Sequence, residues 1–519
     1  MTVRRILAAS ITGLLALGAS ADAATKDVRR PAGLDQIESV VVIYAENRSF
    51  DNLYGGFPGA NGLTRASAES RPQLDRDGTP LTELPPAWGG ITGKGVTPPV
   101  TEAESAHLPN RPFAIDDPKG LKTPLSVVTR DLWHRFYQNQ MQIDGGRNDK
   151  FVAYADAGGL VMGYYDGRKL PLWKVAHKYT LADNFFMGGF GGSFFNHFEL
   201  ICACAPKYPN ADQSPAKDLI SAVEADGVTL KIAENSPKSA LGGAPKFVKD
   251  SNLTPDFYAV NTMQPPYQPS ANKPAPGGDP ALADPSVPTT LPPLADQTIG
   301  DLLTAKGVSW AWYAGAWQAA LDGKSGDPVP AFQFHHQPFN YFAAYAPGTP
   351  ARAEHLRDGG LGGVELIKAI DAGSLPHVTF YKPQGNLNEH AGYTDVRSGD
   401  EHIADIIHHL EKSPQWKHML VVITYDENGG FWDHVAPPKA DRFGPGTRIP
   451  TIIVSPFAKR GFVDHEQYDT TSILRFITRR FDLPVLPGIK TRDEALAAHG
   501  SAPLGDLTGA LKLGGEQHS

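Results

Sequence analysis

Two short β-branched runs end in the same way, and this restricts the fold more than any other feature of the chain. Residues 40–47 read Val-Val-Val-Ile-Tyr-Ala-Glu-Asn, and residues 421–428 read Val-Val-Ile-Thr-Tyr-Asp-Glu-Asn. Each run is too brief for a helix and is apolar without alternation, which suits a strand buried on both faces of a parallel sheet. In open α/β sheets, ligands gather at the carboxyl ends of the strands. The runs therefore predict that Glu46, Asn47, Asp426 and Glu427 meet at one sheet edge. Three carboxylates so placed repel one another unless a cation lies among them, and a metal ion is the natural expectation.

Further strand-like stretches at 308–313, 377–381 and 451–454 alternate with helical spacing at 298–306, 363–372 and 470–481. This alternation predicts an α/β fold with a mostly parallel central sheet flanked by helices. Residues 125–141 also carry helical spacing and include His134, and residues 71–112 read as irregular surface. The stretch of about 265–293, dominated by Pro, Ala and Asp, reads as a long loop or inserted cap.

At the N-terminus, Arg4 and Arg5 precede an apolar run to about Ala19, and Ala21-Asp22-Ala23 offers a cleavage site. Residues 1–23 thus read as a signal peptide, which predicts an exported protein, periplasmic or secreted. No later stretch is apolar for long enough to span a bilayer. A single catalytic domain is expected over 24–519, with a short tail from about 484. The net charge of -8, with no basic run, argues against a nucleic-acid surface. The only cysteines, Cys202 and Cys204, suit either a tight disulfide in an oxidising compartment or two small buried residues.

The turn Gly188-Gly189-Phe190-Gly191-Gly192-Ser193 leads into a potential helix at 194–202, which puts Ser193 at or near a helix N-terminus. Free N–H groups and the positive dipole end favour an anion such as phosphate there. Beside a metal, the Ser193 hydroxyl is a candidate nucleophile; taken alone, a helix N-cap Ser is the blander reading. The turn matches neither the Gly-x-Ser-x-Gly elbow nor a Walker loop. His134, His335, His336 and His390 flank expected strand ends, as candidates to bind phosphate or metal or to protonate a leaving oxygen. If His335-His336 is extended, at most one of the pair faces the site. His434 is a further candidate, with Asp433 to orient it.

The stretches Glu46-Asn47-Arg48-Ser49-Phe50-Asp51, Gly191-Gly192-Ser193-Phe194-Phe195-Asn196-His197 and Thr424-Tyr425-Asp426-Glu427-Asn428-Gly429-Gly430-Phe431-Trp432-Asp433-His434-Val435 resemble the bacterial phosphoesterase family that contains secreted phospholipases C and acid phosphatases. The likeness runs from about residue 37 to 485. It implies an alkaline-phosphatase-like α/β sandwich and a nucleophilic Ser193 that becomes phosphorylated. By the same resemblance, Glu46, Asn47, Ser193, Asp426 and Glu427 hold one divalent ion, while His134, His336, His390 and, less firmly, His335 surround the phosphate. The oxygen-rich set suits Mg²⁺, Ca²⁺ or Mn²⁺, and the nearby histidines admit Zn²⁺.

Phospholipases C of the family look longer, with β-rich extensions after the catalytic domain, which favours a secreted acid phosphatase acting on small phosphorylated substrates. A phospholipase C-type diesterase that releases phosphorylated head groups is the alternative, and a non-catalytic exported metal- or phosphate-binding protein is the third reading. His336 or His390 is the first choice for protonating the departing alcohol. A working imidazolium predicts activity that falls as pH rises through the histidine range.

Overall fold

Eight strands form the central sheet: β1 Ser39–Ala45, β2 Thr180–Ala182, β3 Trp310–Gly315, β4 Leu356–Gly360, β5 Val378–Lys382, β6 Met419–Tyr425, β7 Thr451–Val454 and β8 Phe462–Asp464. The structure is a computed structural model and describes residues 31–69, 72–326 and 331–514. The expected signal peptide, residues 1–23, lies outside the described residues. The strand order is β8-β2-β7-β6-β1-β5-β3-β4. Neighbours run parallel except around β7, which is antiparallel to both β6 and β2. The sheet is thus mostly parallel, as the alternating pattern predicts.

All seven residues of β1 and all seven of β6 are buried. Helices cover both faces, so the runs need no polar alternation. On one side, α6 (Val396–Lys412) packs against α2 (Pro171–Lys178) and α5 (Val364–Asp371). On the other, α3 (Ser193–Cys202) packs against α7 (Thr470–Phe481) and α4 (Ile299–Lys306). The remaining principal helices are α1 (Phe136–Ile143) and α8 (Pro487–Ala498).

Three local readings change. The helical spacing at 125–141 yields a helix only from Phe136. Before it, the backbone is spent elsewhere: Arg130 N–H donates to Ile91 O and Thr129 O accepts Gly392 N–H, so that amide and that carbonyl are not available to a helix. The tail is also more than a loose end, because it carries α8. Residues 71–112 bury Leu81, Leu84, Ala87 and Ile91 and so are not merely surface. Residues 265–293 contain no helix or strand and are tied down by Asn340, whose Nδ2 donates to Tyr267 O and Pro269 O. Cys202 and Cys204 are joined in a disulfide at the end of α3.

Candidate active site

β1 and β6 pair in register along their whole length, from Ser39 opposite Met419 to Ala45 opposite Tyr425. The residue after each strand is therefore held beside its counterpart. Asp426 N–H continues the ladder to Ala45 O at 3.1 Å, and Asp426 Oδ1 accepts Asn47 N–H at 3.0 Å. Glu46, Asn47, Asp426 and Glu427 are completely buried, at the ends of the two paired strands. Asn47 has φ 60°, a left-handed conformation that Asn tolerates better than most residues.

Ser193 is the first residue of α3, and Gly192 is the cap. Its hydroxyl is free of the capping role and donates to Asn47 Oδ1 at 3.0 Å. The turn ahead of it has little room for side chains. Gly191 has φ +89°, and a Cβ there would lie 2.3 Å from Phe136 N. Asn196, one turn into the helix, ties the loop: its Oδ1 accepts Gly189 N–H, and its Nδ2 donates to Gly189 O and Gly192 O. The motif's Asn thus fixes the place of the serine.

The histidines close around this centre. His390 Nε2 accepts from Asn47 Nδ2 at 2.9 Å, its Nδ1–H being spent on Ala391 O. His134 Nδ1 lies 2.5 Å from Glu427 Oε1, and its Nε2 is 3.5 Å from Asp131 Oδ1. His336 Nε2 pairs with Glu46 Oε1. His335 and His336 form a tight turn, Phe334–His336, and are not extended. Ligand atoms of both histidines and of Glu46 consequently lie within 4.8 Å of one another, so the turn admits both.

Two participants lack a sequence signal that marks them. His197, within a quoted motif but given no role there, donates Nδ1–H to Ser193 O at 2.7 Å and stacks on His336 at 5.7 Å between ring centroids. Lys382, the last residue of β5, places Nζ 2.8 Å from Glu46 Oε1 and 3.8 Å from Asp426 Oδ2, with no exposure at all. A Lys at a strand end reads as surface; only the strand order puts it beside β1.

His434 stands outside this group. Its Nδ1 pairs with Asp51 Oδ2 at 2.6 Å and its Nε2 with Asn61 Oδ1 at 3.1 Å. Asp433 does not orient it, because that carboxylate is engaged by Arg448 Nε at 3.0 Å and by Asp51 N–H. Arg448 also reaches Asp51 Oδ1 at 3.1 Å, so the guanidinium supplies the positive charge that these acids need.

Burial and neighbouring charge divide the titratable groups. Burial pushes the Asp426 carboxyl up to about 6, with Lys382 pulling it down. Burial pushes Glu427 up to about 7, opposed by His134. For Glu46, burial acts upward but is overridden by Lys382 and His336, and the carboxyl is held well below its ordinary range. His134 resists its burial because Glu427 and Asp131 hold it well above the usual imidazole value. His335 and His336 are lowered, chiefly by burial.

The donors fit a hard divalent cation. They are three carboxylates, one carboxamide oxygen and one hydroxyl, all oxygen. Asp426 Oδ2 is buried without a hydrogen-bond partner, a costly arrangement that a cation relieves.

A model of the Phosphoesterase family matches residues 37–484. The chain belongs to that family. Among its relatives, the non-hemolytic phospholipase C of Pseudomonas aeruginosa is 24% identical over 93% of this chain and 58% of its own length. Phospholipase C B of Mycobacterium tuberculosis is 23% identical over 93% of this chain and 79% of its own. The non-specific phospholipase C6 of Arabidopsis thaliana is 34% identical over 23% of this chain and 29% of its own. A structure in the alkaline phosphatase superfamily from Vibrio parahaemolyticus shares 10% identity over 65% of each chain, with a TM-score of 0.32. The α/β assignment of this phosphoesterase family member rests on its own strand order.

Proposed function

We propose that the protein is a metal-dependent phosphodiesterase of phospholipase C type that works through a phosphoserine at Ser193. The observation that carries the phosphoserine is the Ser193 hydroxyl at the N-terminus of α3, turned away from any capping role and held 3.0 Å from Asn47 Oδ1 among buried acids. The diester preference is supported by the relatives named phospholipase C. Glu46, Asn47, Ser193, Asp426 and Glu427 would hold the divalent cation, which supplies Lewis acidity and lowers the pKa of the serine hydroxyl.

Ser193 Oγ, entering as the alkoxide that its lowered pKa would allow, attacks phosphorus in line as the bond from phosphorus to the leaving alcohol oxygen breaks, and the N-terminus of α3 faces the phosphoryl oxygens. His134 is the proton donor in this reading, since Glu427 and Asp131 hold it well above the usual imidazole value, whereas of the two first choices from sequence, His336 is lowered by burial and His390 spends its Nδ1–H on Ala391 O. The leaving alcohol takes the His134 proton. His134, now neutral, takes a proton from the water that attacks the phosphoserine, the Ser193 Oγ–P bond breaks to return the alkoxide, and the phosphorylated head group departs. Residues 1–23 fit this reading as an export signal, with phospholipid head groups as the substrate class.

A second reading, a monoester-specific acid phosphatase, draws on how closed the centre is: Ser193, His335, His336 and His390 are all buried. Initial rates on p-nitrophenylphosphorylcholine and p-nitrophenyl phosphate, side by side at acidic and neutral pH, separate the two. Faster diester turnover is the expected outcome, and faster monoester turnover in acid selects the phosphatase. No turnover of either with divalent cations supplied overturns both. Ser193→Ala is expected to lose on the order of 10³-fold in rate while still binding cation.

A further inference from the structure

Lys382 sits where a second positive charge has consequences for the first. Its Nζ lies 2.8 Å from Glu46 Oε1, 3.8 Å from Asp426 Oδ2 and 3.5 Å from Ala45 O, and 5.0 Å from the centre of the Tyr44 ring. Lys382, Glu46 and Asp426 are all fully buried. A buried ammonium survives only with close anionic partners, and these two carboxylates are also candidate cation ligands. The topology enforces the sharing: β1 lies between β5 and β6, so the ends of all three strands meet.

We infer that Lys382 is the fixed counter-ion of the metal site, an ammonium that shares Glu46 and Asp426 with the divalent cation. This rests on the cation-binding reading above. Three carboxylates, one ammonium and one divalent cation sum to zero formal charge, and the charged His134 beside Glu427 adds one positive charge, so an anionic phosphate ester meets a site without surplus negative charge. Before the cation arrives, Lys382 keeps the Glu46–Asp426 pair assembled between the strand ends. Once bound, the divalent cation would repel the ammonium that shares its two carboxylates in this low-dielectric interior, which would weaken cation affinity and make exchange easier. Lys382 acts through Glu46 and Asp426 and is a positioning residue.

The test is calorimetric titration of Mg²⁺, Ca²⁺ and Mn²⁺, one at a time, into the metal-free full chain at pH 8. Wild type is compared with Lys382→Met and Lys382→Gln, alongside thermal melts in chelator and in saturating cation. The expected result is one site in each protein, bound at least roughly tenfold more tightly in the variants. In chelator the variants should melt roughly 5 °C or more below wild type, and saturating cation should close most of that gap. Equal affinity in wild type and variants overturns the counter-ion role and leaves the metal reading standing. Variants unfolded in chelator and cation alike reduce Lys382 to packing and overturn it too. A wild type that binds no cation overturns the metal reading and this inference together.

Discussion

Asn47 spends its backbone N–H and both side-chain polar atoms on the centre: its N–H on Asp426, its Oδ1 on Ser193 and its Nδ2 on His390. The space around its backbone is set by Gly429. That glycine has φ +60°, and a Cβ on it would lie 2.3 Å from Asn47 O and 2.9 Å from Asn47 Cβ. Gly429→Ala therefore displaces Asn47 as well as straining its own backbone. We expect a loss of about 2 kcal/mol or more in unfolding free energy. Cation binding should also weaken, because the Asn47 carboxamide moves. Chemical denaturation and a cation titration check both; a variant that binds cation as wild type does would show that the Asn47 position tolerates the added methyl. At this scale the acids were legible, since each run of apolar residues stops at them. Lys382 and His197 were not, because a lone Lys or His carries no sign of its partners until strand order and helix phase are known.

α3 carries Ser193 at one end and Glu199 near the other, and Glu199 faces the buried Arg492 of α8 at 3.5 Å. Asp441 and Asp469 bind the same guanidinium. Burial pushes Glu199 up to about 8, only partly opposed by Arg492. A carboxyl raised in the fold stabilises the protein fully below its ordinary value near 4.5, and that contribution fades as pH rises to about 8. Glu199→Gln stays neutral throughout. Its stability relative to wild type should therefore climb between pH 5 and 8.5, by an amount on the order of a few kcal/mol. Urea unfolding of both proteins at the two pH values decides it, and parallel behaviour would sink the assignment. α8 itself was illegible, because few apolar residues mark it and ion pairs at Arg492 dock it. α6 is legible in the sequence: Val396, Ile403, Ile406, Ile407 and Leu410 fall on one buried face. The strand alternation, by contrast, gave the sheet directly, since burial on both faces leaves an unbroken apolar run.

Across the whole molecule, several carboxyls are held above their ordinary range by burial: Asp426 and Asp433 near 6, Asp400 and Glu427 near 7, Glu199 near 8. Each stabilises the fold below its ordinary value near 4 and loses that contribution as pH rises through its folded value. Glu46 runs the other way, but its lowered value keeps it ionised across this window and adds no slope there. The buried His197, His335, His336 and His402, all lowered, do oppose the trend, but only below their ordinary value near 6.5. The raised carboxyls go on losing their contribution up to about 8. In chelator, the protein should therefore melt at a lower temperature at pH 8 than at pH 5. A divalent cation reverses part of the trend. On the proposed reading it would bind the ionised forms of Asp426 and Glu427, so at pH 5 it would have to displace protons that at pH 8 are already gone. The stabilisation it confers, which grows with the ratio of concentration to dissociation constant, should be larger at pH 8. Melts at both pH values with chelator and with saturating Mg²⁺ or Ca²⁺ measure this directly. At pH 6, titrations in two buffers of different ionisation enthalpy should register net proton release on binding. An equal cation-induced shift at both pH values, with no proton release, would place the cation away from Asp426 and Glu427.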